Sequence, residues 1–218
     1  RIIKSAKLID EITYDEMLEM SSSGAGVLMA RSVEFGRRYN VPIIVKSTFT
    51  NNKGTLVKEK TMEEAIVSGV THNDKEVKFT LFGVPDQPGI AGTVFGSLSE
   101  IGTNVDMIVQ NVSKESITDI SFTAPSEQQK DVEDTLKNIS KQLDAKGYDV
   151  DENIARISII GAGMKSESGV ASKMFKTLGD NKINISMIST SPIRVSCVIS
   201  SNDIEKALNV LHEEFITN

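Results

Sequence analysis

The stretch Gly89-Ile-Ala-Gly-Thr-Val-Phe-Gly-Ser-Leu-Ser-Glu-Ile-Gly-Thr-Asn-Val-Asp-Met-Ile-Val-Gln110 returns, after a shift of 80 positions, as Gly169-Val-Ala-Ser-Lys-Met-Phe-Lys-Thr-Leu-Gly-Asp-Asn-Lys-Ile-Asn-Ile-Ser-Met-Ile-Ser-Thr190. The two align without a gap. Gly89 meets Gly169, Phe95 meets Phe175, Leu98 meets Leu178, Asn104 meets Asn184, and Met107-Ile108 meets Met187-Ile188. A glycine, an aromatic, a leucine and an asparagine in one register mark an internal repeat, so the chain carries two copies of one structural unit.

Both copies follow one plan. A strand opens each, Val77–Gly83 or Ala155–Gly161, alternating or nearly continuous in apolar residues. A glycine-containing loop follows, Pro85-Asp-Gln-Pro-Gly89 or Ala162-Gly-Met-Lys-Ser-Glu-Ser-Gly169. Ile90, Val94, Leu98 and Ile101, and Val170, Met174 and Leu178, then recur at helical spacing. Asn104 and Asn184 lead into second strands at 105–109 and 185–189, and third strands follow at Asp119–Ala124 and Arg194–Ser200. Val132, Leu136, Ile139 and Leu143, and Ile204, Leu208, Leu211 and Phe215, predict a second helix in each copy. The order β-α-β-β-α lacks one strand of the ferredoxin-like α+β unit.

The first copy finds that strand at Gly147–Val150. In the second, only Ile216-Thr-Asn218 follow Phe215, while a strand-like piece, Ala65-Ile-Val-Ser-Gly-Val-Thr71, stands unassigned before the first copy. An open sheet edge is a liability that a spare strand removes. The expected organisation is therefore two interlocked modules, one of residues 77–151 and one of residues 65–76 with 152–218. One sheet face of each is expected under its helices. The other is expected to carry apolar residues such as Phe79, Leu81, Met107 and Val109, and a dimer is expected through edge-to-edge or face-to-face pairing of the double modules.

Residues 1–57 read differently. Thr13-Tyr-Asp-Glu16 is a capping-box pattern opening a helix through Met20. Ser21-Ser-Ser-Gly24 breaks it, and helical spacing resumes over Ala25–Tyr39. Short strands are predicted at Pro42–Val45 and Thr55–Val57. So short a segment buries little surface alone, so it reads as the last part of an α/β domain.

Composition narrows the functional classes. The 218 residues are 39% hydrophobic and 25% charged, as in soluble globular proteins. No apolar run is long enough to span a membrane. The lone Cys197 forms no internal disulfide and fits a reducing cytoplasm. With His72 and His212 the only histidines, a nitrogen/sulfur metal site is not expected. A net charge of −6 without a basic stripe argues against nucleic acid as a partner.

No Gly-Lys-Ser/Thr loop and no Gly-x-Gly-x-x-Gly follows a strand, so no catalytic residues are assigned. Gly161-Ala-Gly163 is either a fragment of a nucleotide loop or a turn of the repeat, and Ser21-Ser-Ser23 lacks a histidine partner. Ligand binding is left, at the two strand-to-helix loops. A glycine before a helix opens unpaired N–H groups to a carboxylate such as that of a free amino acid. Asp86 could accept from the ligand's ammonium, and Gln110 and Asn111 could read its side chain. The competing reading makes Pro85–Gly89 an ordinary turn with Asp86 as a helix cap.

The repeat with these loops resembles the ACT domain, an amino-acid-sensing module. Longer stretches resemble the aspartate kinase family over nearly the whole chain: Ile12-Thr-Tyr-Asp-Glu-Met-Leu-Glu19 with Gly24-Ala-Gly-Val-Leu28, Met62-Glu-Glu-Ala-Ile-Val-Ser-Gly-Val70, Asn104-Val-Asp-Met-Ile-Val-Gln-Asn-Val-Ser113, and Ile160-Gly-Ala-Gly-Met164 with Ile188-Ser-Thr-Ser191. The resemblance makes residues 1–57 the end of the catalytic domain and Met62 a candidate start for a separate regulatory subunit.

It implies effector binding by Asp86, Gly89, Ala91 and Gln110 with Asn184 and Ile185 facing them. A second site would use Val170, Ala171, Thr190 and Ser191, with Asn104 and Asp106 facing them. The implied effectors are lysine and threonine, the implied partners an upstream kinase domain and a second copy, and the implied cofactors of the full enzyme ATP and magnesium. Two positions depart from the family pattern: Met29-Ala30 replaces His-Pro, and Ala171 replaces a threonine found in some members. The alternative is an ACT sensor or dimerisation module of another metabolic enzyme.

Overall fold

The computed structural model describes residues 2–61, 65–112 and 116–217. Met62 and Ser113, which the sequence singles out, lie outside the described residues. In chain order the elements begin with β1 (Glu11–Thr13), α1 (Tyr14–Ser22), α2 (Ala30–Arg38), β2 (Ile43–Val45), β3 (Thr55–Lys58) and β4 (Gly69–Asn73). The first copy supplies β5 (Glu76–Pro85), α3 (Ile90–Glu100), β6 (Ile108–Val112), β7 (Ile117–Pro125), α4 (Gln129–Gln142) and β8 (Gly147–Asp151). The second supplies β9 (Ile154–Ile160), α5 (Val170–Asp180), β10 (Met187–Ser191), β11 (Arg194–Ser200) and α6 (Ile204–His212), followed by a π-helical turn at Glu213–Thr217. Two compact units result, residues 74–154 and residues 1–73 with 155–218.

In the unit of residues 74–154 the sheet order is β6-β7-β5-β8, all antiparallel. Phe79, Leu81, Ile120 and Phe122 point into one core with Val94 and Leu98 of α3 and Val132 and Leu136 of α4. This corrects the expected apolar open face, because Phe79 and Leu81 lie on the helix-covered side. Strand alternation then puts Lys78, Thr80, Ser121 and Asp149 on the other face, where Thr80 and Ser121 share a hydrogen bond of 3.0 Å. Met107 is buried and Val109 half-buried. Ile101 is not a core residue of α3 but its exposed C-cap.

β5 runs beyond the expected end at Gly83 because a bulge sits there. Gly83 takes a left-handed φ of 60°, donates its N–H to Asp119 at 2.8 Å, and lets pairing resume at Val84–Thr118 and Pro85–Ile117. β6 and β10 begin two or three residues later than the apolar pattern predicts. Val105 and Ile185 turn inward onto the cores before the ladders start, and hydropathy does not distinguish the two.

In the other unit the sheet order is β10-β11-β9-β4. β4 is the strand the second copy lacks at its own end, and it pairs antiparallel with β9 from Gly69–Ile160 to Asn73–Arg156. It lies later than the expected 65–71. Residues 65–68 instead approach the loop after β9: the Ser68 N–H donates to the Ile160 carbonyl at 2.7 Å and the Gly163 N–H to that of Ala65 at 3.1 Å.

Every residue of β9 is buried, which explains why its sequence does not alternate as β5 does. Ile157 and Ile159 join Met174, Leu178, Leu208 and Leu211 under α5 and α6. On the opposite face Ile160 packs with Ile12, Tyr14, Met17, Met20, Val33 and Val57 of the N-terminal segment. The Arg156 guanidinium reaches the Ser22 carbonyl at 3.3 Å, and Ser158 and Ser196 share a buried bond of 2.7 Å. That segment forms its own sheet, β1-β3-β2, with β1 and β3 parallel.

α1 starts where the capping box predicts, with the Thr13 hydroxyl accepting from Glu16 N–H and the Glu16 carboxylate accepting from Thr13 N–H. It runs on through Ser22, so Ser21 and Ser22 are helical and not a break. α2 starts at Ala30 and not Ala25, because Gly24 and Gly26 both adopt positive φ.

Candidate functional site

Both strand-to-helix loops end in a glycine that serves as helix N-cap in the left-handed region, Gly89 at φ 96° and Gly169 at φ 91°. The first-turn N–H groups of α3 and α5 have no side-chain cap, though Ile90 N–H donates to the Gln87 carbonyl at 3.3 Å, and the two capping glycines have nothing within 4 Å of a hypothetical Cβ. This geometry accepts an anion. It also removes one sequence alternative: Asp86 is not the cap of α3, since Gly89 holds that position.

The second loop opens on a pocket of about 410 Å³. Val170 and Ala171 from the first turn of α5 line it together with Thr190 and Ser191 from the end of β10. The four residues expected there are thus brought to one place. The sequence did not single out their co-lining residues Met164, Lys165, Glu167, Pro192 and Val195. The signal lay in the longer second loop, whose Lys165-Ser-Glu167 adds one charge of each sign at the rim.

In the other unit Asp86 is exposed just after β5, its N–H donating to the Ser116 carbonyl at 2.9 Å. Gly89 and Ala91 are exposed at the start of α3, and Gln110 is exposed on β6 at the repeat position of Thr190. Asn104 and Asp106 are exposed between α3 and β6 in this unit. Asn184, exposed, and Ile185, half-buried, hold the matching positions of the other.

Gly161-Ala-Gly163 is not a phosphate loop. A Cβ on Gly161 would stand 2.1 Å from the Ile66 carbonyl oxygen, and one on Gly163 would stand 2.9 Å from that of Ala65. The glycines let residues 65–67 lie against the loop. Ala162–Lys165 forms a 3-10 turn, and its first N–H donates to the Glu16 carboxylate at 3.0 Å. Among the described residues no three His, Cys, Asp or Glu side chains converge as a metal site, and no helix is long and apolar enough to cross a membrane. Burial pushes the Cys197 thiol up to about 12, which leaves it an inert core residue.

Comparison with known proteins fits this geometry. The ACT domain family matches residues 78–144, and a second ACT model matches residues 157–215. The fold and its loops therefore define a tandem ACT region. The aspartate kinase of Pseudomonas fluorescens (strain SBW25) is 45% identical over 99% of this chain. The chain spans about half the length of that relative, 53%. The crystal structure of the regulatory subunit of aspartate kinase from Thermus thermophilus, in its ligand-free form, is 35% identical with a TM-score of 0.66, and the match covers 69% of this chain and 99% of that one. Aspartate kinase from Synechocystis is 36% identical with a TM-score of 0.70, covering 99% of this chain and 39% of that one. The chain belongs to the aspartate kinase family and carries its regulatory ACT region.

Proposed function

We propose that this chain is the feedback-regulatory part of an aspartate kinase and binds lysine, threonine or both at its two strand-to-helix loops. The reaction regulated is phosphorylation of the L-aspartate β-carboxylate by ATP with magnesium to 4-phospho-L-aspartate, the first step toward lysine, threonine and methionine. The pocket at the start of α5 carries the reading. It offers the uncapped first turn of α5 for a carboxylate, the Thr190 and Ser191 hydroxyls, and Lys165 and Glu167 for a zwitterion. At the other loop Asp86 receives the ammonium, Gly89 and Ala91 the carboxylate, and Gln110 the side chain.

Residues 1–57 are the end of the catalytic domain in this reading. Their exposed Val27, Met29, Phe35, Tyr39, Val41 and Phe49 supply apolar surface for the rest of that domain. The setting is the cytoplasm. Self-association follows the sheet edges: β6 and β10 are edge strands, and Ile108 and Ile188, at one repeat position, are 51% and 43% exposed. The chain alone is expected to make no aspartyl phosphate, since its sequence carries no Gly-Lys-Ser/Thr loop and no Gly-x-Gly-x-x-Gly after a strand.

A thermal-shift screen of the proteinogenic amino acids tests the reading. Ligand at about a hundredfold over Kd adds about 2.7 kcal/mol and raises the melting temperature by several degrees. Lysine or threonine is expected to do so. A screen in which neither moves the transition contradicts the reading.

A further inference from the structure

Helix α1 is tied to the loops that wall the second module's pocket by two carboxylates on one of its faces. Glu16 is 3% exposed and spends both oxygens on donors from three segments. Its Oε2 accepts from Thr13 N–H at 3.1 Å and from the Thr13 hydroxyl at 2.7 Å. Its Oε1 accepts from the Ser68 hydroxyl at 2.5 Å and from Ala162 N–H at 3.0 Å. One turn further along α1, Glu19 pairs with Arg194 at 3.0 Å.

Both ties lead to the pocket within a few residues. Ala162 begins the 3-10 turn whose last residues, Met164 and Lys165, line the pocket. Arg194 ends the turn whose Ser191 and Pro192 line it from the other side. Those two walls are joined to each other by Gly161 N–H donating to the Ile193 carbonyl at 3.0 Å. A ligand that shifts the Ala162–Lys165 wall must move a donor of a buried carboxylate, and one that shifts the other wall moves the arginine paired with Glu19. A buried carboxylate does not tolerate losing donors and resists being left half-satisfied.

We propose that Glu16 transmits amino-acid occupancy of this pocket to helix α1, with the Arg194–Glu19 pair as the second tie of the same clamp. The inference rests on the reading that the pocket binds an amino acid. Glu16 is a positioning residue: it touches no ligand, and its effect is felt through the Ala162–Lys165 turn on one side and the N-terminus of α1 on the other.

Two variants break the tie from opposite ends. Glu16→Gln keeps the shape but turns one oxygen into a donor. The hydroxyls of Thr13 and Ser68 can rotate to accept from it, but the N–H groups of Thr13 and Ala162 cannot, so one of them is orphaned. Ala162→Pro deletes the other partner's N–H at the first position of a helical turn, where proline fits, and Gly161 before it is already extended at φ −179° and ψ 135°.

Hydrogen exchange of the whole chain is followed with and without saturating lysine or threonine, with calorimetry on the same samples. In the wild type the amino acid is expected to slow exchange over residues 161–171 and to change it over α1 by about fivefold or more. In both variants binding and the response of 161–171 persist while the α1 response is lost. An α1 response undiminished in the variants overturns the proposal while leaving the binding site standing. Should Glu16→Gln fray α1 without ligand, Ala162→Pro decides the matter on the same readout. Absence of any binding heat with the wild type overturns the inference together with the function it rests on.

Discussion

Gly161 lies so close to Ile66 that a Cβ added to it would stand 2.1 Å from the Ile66 carbonyl oxygen and 2.6 Å from the Val67 Cα. Backbone cannot yield as a flexible side chain can. Gly161 has an extended φ, so the restriction is space and not torsional strain. Gly161→Ala is expected to destabilise its unit by about 3 kcal/mol, measured by urea unfolding. A loss below about 0.5 kcal/mol would show that residues 65–67 are free to move away.

Gly96 makes the opposite case. It sits in the middle of α3, and a Cβ there meets nothing within 4 Å. Gly96→Ala is expected to stabilise the unit of residues 74–154 by about 0.5–1 kcal/mol, through helix propensity and a less mobile unfolded chain. Differential scanning calorimetry reads this directly, and a lowered transition contradicts it.

Glu16 predicts a pH dependence with a definite sign. Burial pushes its carboxyl up, but hydrogen bonds from Ser68, Thr13 and Ala162 outweigh that and hold it below the ordinary glutamate value. A group whose pKa is lower in the folded chain stabilises it above the unfolded value of about 4.3. That contribution is lost as pH falls through the folded value. The stability gap between wild type and Glu16→Gln should therefore be full near neutral pH and shrink below about pH 4.3. A gap independent of pH from about 7 to 3 would show that the charge of Glu16 contributes nothing.

The proposed self-association is expected at the sheet edges and not at the open face. Ile108 is exposed on edge strand β6, whereas Phe79 and Leu81 are sealed beneath α3 and α4. Sedimentation equilibrium at tens of micromolar is expected to show at least a dimer, weakened tenfold or more by Ile108→Lys through charge buried in an apolar contact. A monomeric wild type, with and without lysine and threonine, contradicts this.

What the sequence made legible follows from what periodicity can carry. The coincidence of Gly89, Phe95, Leu98 and Asn104 with Gly169, Phe175, Leu178 and Asn184 revealed two modules of one fold, since each residue type does the same local work in both copies. The strand shortage of the second copy pointed upstream, although the pairing strand lies at 69–73, because apolar pattern does not report which residues hydrogen-bond. The faces of β5 were misassigned for a related reason: alternation shows that two faces differ, not which one the helices cover. At the second loop Val170, Ala171, Thr190 and Ser191 came from the resemblance, while Lys165 and Glu167 were legible only as charges in a longer loop, because folding is what brings that loop to the pocket. Glu16 was legible as half of a capping box. Its partners Ser68 and Ala162 lie 52 and 146 positions away, beyond the reach of any local pattern.

The most direct measurement is calorimetric titration of lysine and of threonine into the wild type, Asp86→Ala and Ala171→Phe. Saturable binding of at least one amino acid by the wild type is expected. Asp86→Ala, by leaving a ligand ammonium without its acceptor, should lose about 1.5–3 kcal/mol at the first loop, or ten- to a hundredfold in affinity. Ala171→Phe should abolish binding at the second by filling its pocket. Wild-type protein that gives no saturable heat with either amino acid, or binding unchanged in both variants, would contradict the claim that these loops are the amino-acid sites.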